Sequence, residues 1–150
     1  MPFLYRRTIR FHETDAAGVM YFANLLTLCH EAYEAAIALA GFDLATFFSA
    51  QGAIALPIVH TSVDFFQPMR CGDAIAVQLT PKLLTVNSFE ISYGVYPRKP
   101  EEVATDPSGK RLASALTRHL CISPQTRRRQ PLPAELTRWV EQLAELPTDS

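Results

Sequence analysis

The sequence lacks the patterns by which several classes of protein are recognised. Its 150 residues carry 14 Lys and Arg against 15 Asp and Glu, a formal net charge of −1, so it has no basic excess to attract nucleic acid. No run of about 18 apolar residues is present, so neither a membrane span nor a signal peptide is predicted. We therefore expect a single soluble domain over residues 1–150.

Cysteine and histidine are few and are not spaced for disulfide or metal chemistry. Cys29, Cys71 and Cys121 form no C-x-x-C pair, and the four histidines show no H-E-x-x-H spacing. This pattern predicts no disulfide scaffold and no metal site, and it favours a reducing, cytoplasmic location. A G-x-S-x-G nucleophile motif, a Walker loop and a G-x-G-x-x-G motif are absent too.

Hydrophobic periodicity, interrupted by 11 prolines, predicts an α+β fold. Two-residue alternation indicates a strand over Leu4–Phe11, and apolar positions three and four apart indicate a long helix from about Tyr21 to Ala40, ended by Gly41. The remaining segments are predicted as four strands over 58–66, 75–79, 83–96 and 112–122, an exposed loop over 97–110 and a helix over about 134–146. This order predicts a core over about 3–123, with a largely antiparallel sheet of about five strands curled against the helix.

The loop between the first strand and the long helix is the first candidate for chemistry. It holds Asp15 and Gly18 and enters the helix at Tyr21 and Phe22. Backbone N–H groups and the positive end of the helix dipole stabilise negative charge there, including charge on a carbonyl oxygen. Asp15 is therefore a candidate general base or nucleophile, and Gly18 allows a substrate close approach. By local chemistry alone Asp15 is more often a cap or turn residue, so both roles stay open.

Two segments resemble the hotdog-fold acyl-CoA thioesterases, in particular the 4-hydroxybenzoyl-CoA thioesterase family. They are F-H-E-T-D-A-A-G-V-M-Y-F-A-N at the end of the first strand and F-F-Q-P-M-R-C-G-D, which is similar to the family's aromatic-x-x-P-x-x-x-G-D turn. The resemblance implies a hotdog fold, in which the sheet wraps around one central helix, and an acyl-CoA substrate. It also implies that Asp15 attacks the thioester or activates water while the N–H groups of Tyr21 and Phe22 polarise the carbonyl. No cofactor is implied.

Within this family, D-A-A-G-V-M-Y-F-A and C-H-E-A-Y-E are most similar to the cyanobacterial-type 1,4-dihydroxy-2-naphthoyl-CoA hydrolases of phylloquinone (vitamin K1) synthesis. Related enzymes that act on short acyl chains have histidine where this chain has Phe22. The departure implies an apolar pocket for an aromatic acyl group, with Tyr21, Phe22, Phe47 and Phe48 as candidate walls, although such rings are often core residues. A 4-hydroxybenzoyl-CoA or short-chain acyl-CoA substrate stays an alternative.

The phosphates of CoA need a cationic surface, and the family's usual one is missing. The bacterial 4-hydroxybenzoyl-CoA enzymes have a basic cluster where this chain has the uncharged Thr85, Val86 and Asn87. Arg127, Arg128 and Arg129 are the obvious replacement, because guanidinium groups pair well with phosphate. A solvated charge run is the more ordinary interpretation of three adjacent arginines.

Two functions of other classes stay open. A non-catalytic acyl-CoA-binding protein on the same fold would keep the pocket, but the presence of Asp15 argues against it. A hotdog dehydratase would need an acid/base pair such as His60 and Asp64, which share one strand face by the two-residue period. We expect that face to lie outward and Val59, Val63 and Phe65 to pack on the central helix.

Self-association is expected from apolar residues that a single helix cannot cover. They lie on the alternate face of the strands: Leu4, Leu112, Leu116, Leu120 and Ile122. The family resemblance implies a homotetramer, a dimer of dimers in which sheets join edge to edge and active sites lie at subunit boundaries. No nucleic-acid or membrane partner is expected.

Overall fold

A computed structural model describes residues 3–98 and 111–144 of the chain. Within these ranges the strands and helices follow one another in this order: β1 (Phe3–Thr8), a 3₁₀ turn (Phe11–Glu13), α1 (Asn24–Leu39), α2 (Leu44–Phe47), β2 (Ile58–Phe65), β3 (Ala74–Thr85), β4 (Ser88–Pro97), β5 (Ala113–Leu120) and α3 (Ala134–Ala144). The predicted α+β class is confirmed.

The five strands form one sheet in the order β1-β3-β4-β5-β2, and every neighbouring pair is antiparallel. Strands β1 and β2 therefore lie at opposite edges. Strand β2 has most of its residues exposed, including Val59 and Phe65, and only Val63 is half-buried. The expectation that Val59 and Phe65 pack on the central helix is wrong for a single chain, because α1 packs mainly on β1 and β3, at the opposite edge of the sheet.

Helix α1 packs on the sheet through one apolar stripe. Its buried residues recur at three and four: Leu25, Leu28, Cys29, Ala32, Tyr33, Ala36 and Ile37. The helix ends where predicted, because Gly41 adopts a φ of +93° that favours glycine and its N–H donates to the carbonyl of Ala38. Helix α3 adds Trp139, whose ring lies 6.3 Å from that of Tyr33 and 6.2 Å from that of Phe89.

The boundary between β3 and β4 differs from the prediction. The turn between β3 and β4 falls at Val86 and Asn87, whereas the sequence suggested a break near Pro81. Pro81 lies within β3 beyond the last described pair with β1, Phe3 with Leu79, so its missing N–H removes no bond to that neighbour. The predicted loop over 97–110 and the end of the last helix at 146 lie largely outside the described residues. No helix in the described part of the chain is long and apolar enough to cross a membrane.

Candidate active site

The loop that holds Asp15 is a small closed hairpin. Thr14 forms a bridge with Met20, and the N–H of Asp15 donates to the carbonyl of Val19 at 2.9 Å. Gly18 closes the tip with a φ of +79°, and its N–H donates to the carbonyl of Asp15 at 3.0 Å. A residue with a side chain would be strained at this φ. The structure therefore gives Gly18 a role in shaping the loop, and Gly18 does not line the adjacent cavity.

One of the two carboxylate oxygens of Asp15 is hydrogen-bonded within the loop. Oδ1 accepts the N–H of Ala17 at 2.8 Å, a turn contact that fixes the orientation of the side chain. Oδ2 accepts no hydrogen bond from any residue in 3–98 or 111–144, and the side chain is exposed. The turn role and the catalytic role that the sequence left open are thus compatible, because the turn contact uses only Oδ1.

Asp15 lies at the wall of a cavity of about 410 Å³ between the hairpin and the segment after β2. The N–H of Met20 donates to the carbonyl of Met69 at 2.7 Å and ties the two segments together. The lining residues come from both of them: Asp15, Val19, Met20, Tyr21, Phe22, Phe65, Phe66, Gln67, Pro68 and Met69. The structure therefore brings together the two motifs on which the family resemblance depends.

Helix α1 begins at Asn24, three residues later than predicted, and this changes the assignment of the polarising amides. The N–H of Tyr21 donates to the carbonyl of Glu13 at 2.9 Å, so it is not available to a substrate. The proposed oxyanion role of Tyr21 is wrong for this geometry. The N–H of Phe22 donates to no acceptor within the described ranges, and Phe22 lines the cavity. Phe22 remains the candidate donor.

A buried ion-pair network holds the loop in place. The carboxylate of Glu13 accepts from the guanidinium of Arg7 and from the N–H of Arg10, and both side chains of the ion pair are almost fully buried. Arg7 also donates to Glu31 at 2.6 Å. The carbonyl of Glu13 accepts from both the Tyr21 N–H and Asn24 Nδ2 at 2.9 Å. One residue thus links β1, the hairpin and the first turn of α1.

Glu31 belongs to this network rather than to the solvated surface. Its Oε2 accepts from Tyr5 Oη at 3.0 Å as well as from Arg7, and burial and this hydrogen bond raise the pKa of Tyr5. Nothing in the local pattern of C-H-E-A-Y-E indicates that Glu31 contacts β1. Glu13 was missed altogether, because nothing in its local pattern shows that Arg7, on the preceding strand, turns toward it.

Phe47 and Phe48 lie apart from Asp15 within one chain. They line a second cavity of about 400 Å³ together with residues of α1, the segment before β2 and β5, among them His30, Tyr33 and His119. The two cavities share no lining residue. The prediction that Phe47 and Phe48 wall the same site as Tyr21 and Phe22 is therefore wrong for the single chain, because α2 packs at the other end of β2.

The basic run and the rival acid/base pair lie outside the Asp15 cavity. Arg127, Arg128 and Arg129 are exposed and form no ion pair with the described part of the chain. The backbone of Arg129 forms an antiparallel β-bridge with Ile122, and Ile122 forms another with Ala55, which lines the second cavity. His60 and Asp64 are exposed on β2 and line neither cavity.

The two buried cysteines, Cys29 and Cys121, and the other potential metal ligands offer no second reactive centre in the ranges described. Burial raises the pKa of Cys29 to about 12, so its thiol stays protonated at neutral pH. Burial also raises the pKa of Cys121. No group of three or more His, Cys, Asp or Glu side chains is placed to hold a metal ion within residues 3–98 and 111–144.

Comparison with known proteins bears on the chemistry of this site. The family model of the thioesterase-like superfamily matches residues 9–140, which include Asp15 and both motifs. This chain belongs to that superfamily. The family resemblance inferred from the sequence is thereby confirmed, as is the hotdog class of the fold.

Curated and solved relatives narrow the comparison. The 1,4-dihydroxy-2-naphthoyl-CoA hydrolase of Trichodesmium erythraeum is 48% identical over 141 residues, which are 93% of this chain and 96% of that protein. The protein of the same name from Synechococcus elongatus is 44% identical over 137 residues, 91% of this chain and 93% of that protein. The crystal structure of Slr0204, a 1,4-dihydroxy-2-naphthoyl-CoA thioesterase from Synechocystis, superposes on this chain with a TM-score of 0.82 at 36% identity. The superposition covers 95% of this chain and 98% of Slr0204.

Replacing Arg7 by methionine should destabilise the protein. The variant leaves the buried carboxylate of Glu13 without its ion-pair partner, which typically costs about 3 kcal/mol of unfolding free energy. Urea unfolding of the purified protein measures the change. Arg6→Met on the same strand is the matched control, because Arg6 is exposed and makes no described ion pair, and we expect a change within about 0.5 kcal/mol. Equal effects of the two substitutions would contradict the role of the Arg7–Glu13 pair.

His119 should make the stability depend on pH. Burial, with a smaller contribution from His30, lowers the pKa of His119 to about 4. As pH falls below about 6.5 the unfolded chain binds this proton first, so stability present at pH 7 is lost on the way to pH 4. Between pH 7 and pH 5 the loss through this residue should be about 2 kcal/mol.

The non-titrating variant His119→Gln is the comparison for this pH dependence. Urea unfolding at pH 7 and at pH 5 gives, for parent and variant, the unfolding free energy lost between the two pH values. The other titrating groups are common to both proteins. The difference should be smaller in the variant. If parent and variant lose the same free energy over this interval, His119 is not held neutral by burial.

Proposed function

We propose that this chain hydrolyses an aromatic acyl-CoA thioester, 1,4-dihydroxy-2-naphthoyl-CoA, to CoA and 1,4-dihydroxy-2-naphthoate. The observation that carries the proposal is one cavity lined by both Asp15 and Phe22. Among the described residues, Asp15 Oδ2 accepts no hydrogen bond and the N–H of Phe22 has no acceptor. Relatives that bear this activity in their names, at 44–48% identity over more than nine-tenths of the chain, support the choice of substrate. The place in phylloquinone synthesis stays a prediction.

The chemistry assigned to the site follows from these two groups. The thioester carbonyl accepts the N–H of Phe22, which stabilises the negative charge that develops on its oxygen. Asp15 either removes a proton from the attacking water or attacks the carbonyl itself and forms an anhydride that water then hydrolyses. In both routes the C–S bond breaks, the thiolate of CoA takes a proton, and water supplies the second oxygen of the acid.

The preference for an aromatic acyl group is supported by the rings that surround the Asp15 cavity. Tyr21, Phe22, Phe65 and Phe66 all line it and are 43–65% exposed in the single chain. Rings that are buried against one another serve only to pack the core, whereas these four leave part of their surface exposed for contact with a ligand. An aromatic ring gains about 0.5–1.5 kcal/mol per ring contact beyond the burial of its area.

We propose in addition that two chains pair through β2. Of the residues expected to supply exposed apolar area, Leu112 and Ile122 are buried within the chain and Leu4, Leu116 and Leu120 are half-buried. More exposed apolar side chains lie on β2. Ile58, Val59 and Phe65 on the free edge of β2 are 38–59% exposed. An unpaired, apolar edge strand readily accepts another strand. The homotetramer would add a second contact between such dimers.

Pairing through β2 would also join the two kinds of cavity. Ile58 lines the second cavity, which we call the aromatic cavity because Tyr33, Phe47 and Phe48 line it, and Phe65 lines the Asp15 cavity. The two residues are seven positions apart on one strand, or about 23 Å at the rise of a strand. A single acyl group does not span that distance. When two β2 strands run antiparallel across a two-fold axis, the Ile58 end of one lies beside the Phe65 end of the other. Each active site would then contain Asp15 from one subunit and the aromatic cavity from the second.

We propose that Arg127, Arg128 and Arg129 bind the phosphates of CoA. These arginines are exposed and unpaired within the described residues, so their donors are available to an anion. Arg129 connects through Ile122 to the segment that lines the aromatic cavity. This position is compatible with a composite site in which the nucleotide end of CoA lies near a subunit boundary.

Release of free CoA from a panel of thioesters tests the function. We expect kcat/KM to fall in the order 1-hydroxy-2-naphthoyl-CoA, a stable analogue of the proposed substrate, then 4-hydroxybenzoyl-CoA, then butyryl-CoA, because a short chain leaves the aromatic site partly empty. A thiol reagent follows the reaction. Asp15→Asn should lower kcat by roughly 10²–10⁴ with each ester, since the amide keeps the shape of the side chain but is neither base nor nucleophile.

Glu34→Gln is the matched control in this assay. Glu34 is an exposed carboxylate on α1 and lines neither cavity, so its amide should leave kcat within a few-fold of the parent. No hydrolysis of any ester by the parent would refute the proposed function. A tenfold preference for butyryl-CoA would overturn the aromatic substrate while leaving Asp15 as the catalytic group.

Sedimentation at micromolar concentration tests the β2 interface. The parent should sediment as an assembly larger than the 16.7 kDa chain, and Val59→Lys should shift it toward the monomer, because a buried lysine on an edge strand opposes pairing. Gln142→Lys adds the same charge on the exposed face of α3 and should leave the assembly intact. A monomeric parent would remove the composite site.

A further inference from the structure

The occupied amide of Tyr21 leaves the candidate oxyanion site one donor short of its predicted pair. Catalysts of acyl transfer commonly direct two donors at the oxygen that gains negative charge, drawn from backbone N–H groups or from side chains such as Asn and Gln. The N–H of Tyr21 donates to Glu13, so only that of Phe22 remains from the pair. A second donor to the thioester oxygen therefore has to come from another part of the cavity wall.

Side-chain donors in the wall of the Asp15 cavity are few. Three of its lining residues carry a nitrogen or oxygen in the side chain: Asp15, Tyr21 and Gln67. An ionised carboxylate only accepts hydrogen bonds, so the donors are the hydroxyl of Tyr21 and the carboxamide of Gln67. The hydroxyl of Tyr21 stands at the far end of a ring that packs 4.9 Å from the ring of Phe22. Gln67 is the side-chain donor on the wall that faces the Asp15 hairpin.

The backbone of Gln67 is fixed, whereas its side chain serves no purpose in the fold. The N–H groups of Phe66 and Gln67 both donate to the carbonyl of Leu112, at 2.9 and 3.1 Å. Pro68 confines the backbone of the residue before it to extended conformations. The carboxamide of Gln67 is exposed and forms no hydrogen bond with any residue in 3–98 or 111–144. Its donors are therefore available to a ligand at a defined place on the wall.

Gln67 and Phe22 flank the hydrogen bond that ties the two walls together. The N–H of Met20 donates to the carbonyl of Met69 at 2.7 Å. Phe22 comes two residues after Met20, and Gln67 comes two residues before Met69, so each lies within about 7 Å of its bonded neighbour. Both residues line the same cavity. A carbonyl oxygen that accepts the N–H of Phe22 is thus within reach of the Gln67 carboxamide.

We propose that Gln67 is a further catalytic residue, whose Nε2–H donates the second hydrogen bond to the thioester oxygen opposite the N–H of Phe22. A neutral donor suits this place, because a cationic side chain beside Asp15 would favour its ionised form and weaken it as a base. Gln67 takes the part that the family resemblance gave to the amide of Tyr21. The inference rests on the proposed function, since the oxygen concerned is that of a thioester held at Asp15.

Two substitutions of Gln67 test the role in the thiol-release assay. Gln67→Met keeps the length of the side chain and removes donor and acceptor, whereas Gln67→Glu keeps an acceptor and removes the donors. Each should lower kcat by about 10²-fold and leave KM within a few-fold, because the hydrogen bond strengthens as charge develops in the transition state. Gln67→Glu should be at least as slow as Gln67→Met. A carboxamide that instead oriented the attacking water by accepting its hydrogen would be replaced by the glutamate.

Gln142→Met is the matched control, since Gln142 is exposed on α3 and lines neither cavity, and its kcat should stay within a few-fold of the parent. Tyr21→Phe removes the rival hydroxyl and should slow the reaction less than Gln67→Met does. Thermal unfolding should give the Gln67 variants the Tm of the parent, because the side chain makes no contact that holds the fold. A loss of rate at an unchanged Tm is then a loss of catalysis.

Several results would overturn the inference: a kcat of Gln67→Met within a few-fold of the parent, a change in KM alone, full activity of Gln67→Glu, or a larger loss in Tyr21→Phe. The comparison with Asp15→Asn separates this inference from the proposed function. If Asp15→Asn is slow and Gln67→Met is not, only the role of Gln67 is wrong. A parent that hydrolyses no ester refutes both.

Discussion

The ion pair between Arg7 and Glu13 is the contact on which the candidate active site depends. A carboxylate in the interior is tolerated only with a charged partner and further donors, and Glu13 has both in Arg7 and the N–H of Arg10. Once its side chain is fixed, its carbonyl is fixed as well, and that carbonyl holds Tyr21 and Asn24. The position of Phe22, whose N–H has no acceptor among the described residues, thus follows from a charge pair that does not line the Asp15 cavity.

The free edge of β2 is the second constraint. A strand with one neighbour and little cover leaves apolar side chains such as Val59 and Phe65 in water, and the chain has no further strand in its described part to pair with it. The same strand separates the cavity of Asp15 from that of Tyr33 and His119. This placement of the candidate catalytic residue and the second cavity at opposite ends of an exposed edge is what makes the proposed pairing through β2 attractive, since antiparallel pairing exchanges those ends.

Much of the architecture was predictable from local patterns. The alternation of β1, the three-and-four spacing of α1 and the glycine at its end indicated the α+β class, the strand number and the end of the helix at Gly41, because period and capping depend on residues close in the chain. Asp15 was identifiable as well, since a motif before a helix carries its own chemical signal. The start of α1 was misplaced because Tyr21 bonds to Glu13 rather than to the helix.

What the sequence by itself determined was therefore the set of elements, the family and the candidate catalytic carboxylate, Asp15. Only the tertiary structure decided that the amide of Tyr21 donates to Glu13, whereas that of Phe22 has no acceptor among the described residues. It also decided that Glu31 accepts from Arg7 and that Phe47 and Phe48 line a different cavity from Asp15. The physical reason is the same in each case. These contacts join residues that are distant in the chain, and their partners are selected by strand order and packing, which no local periodicity encodes.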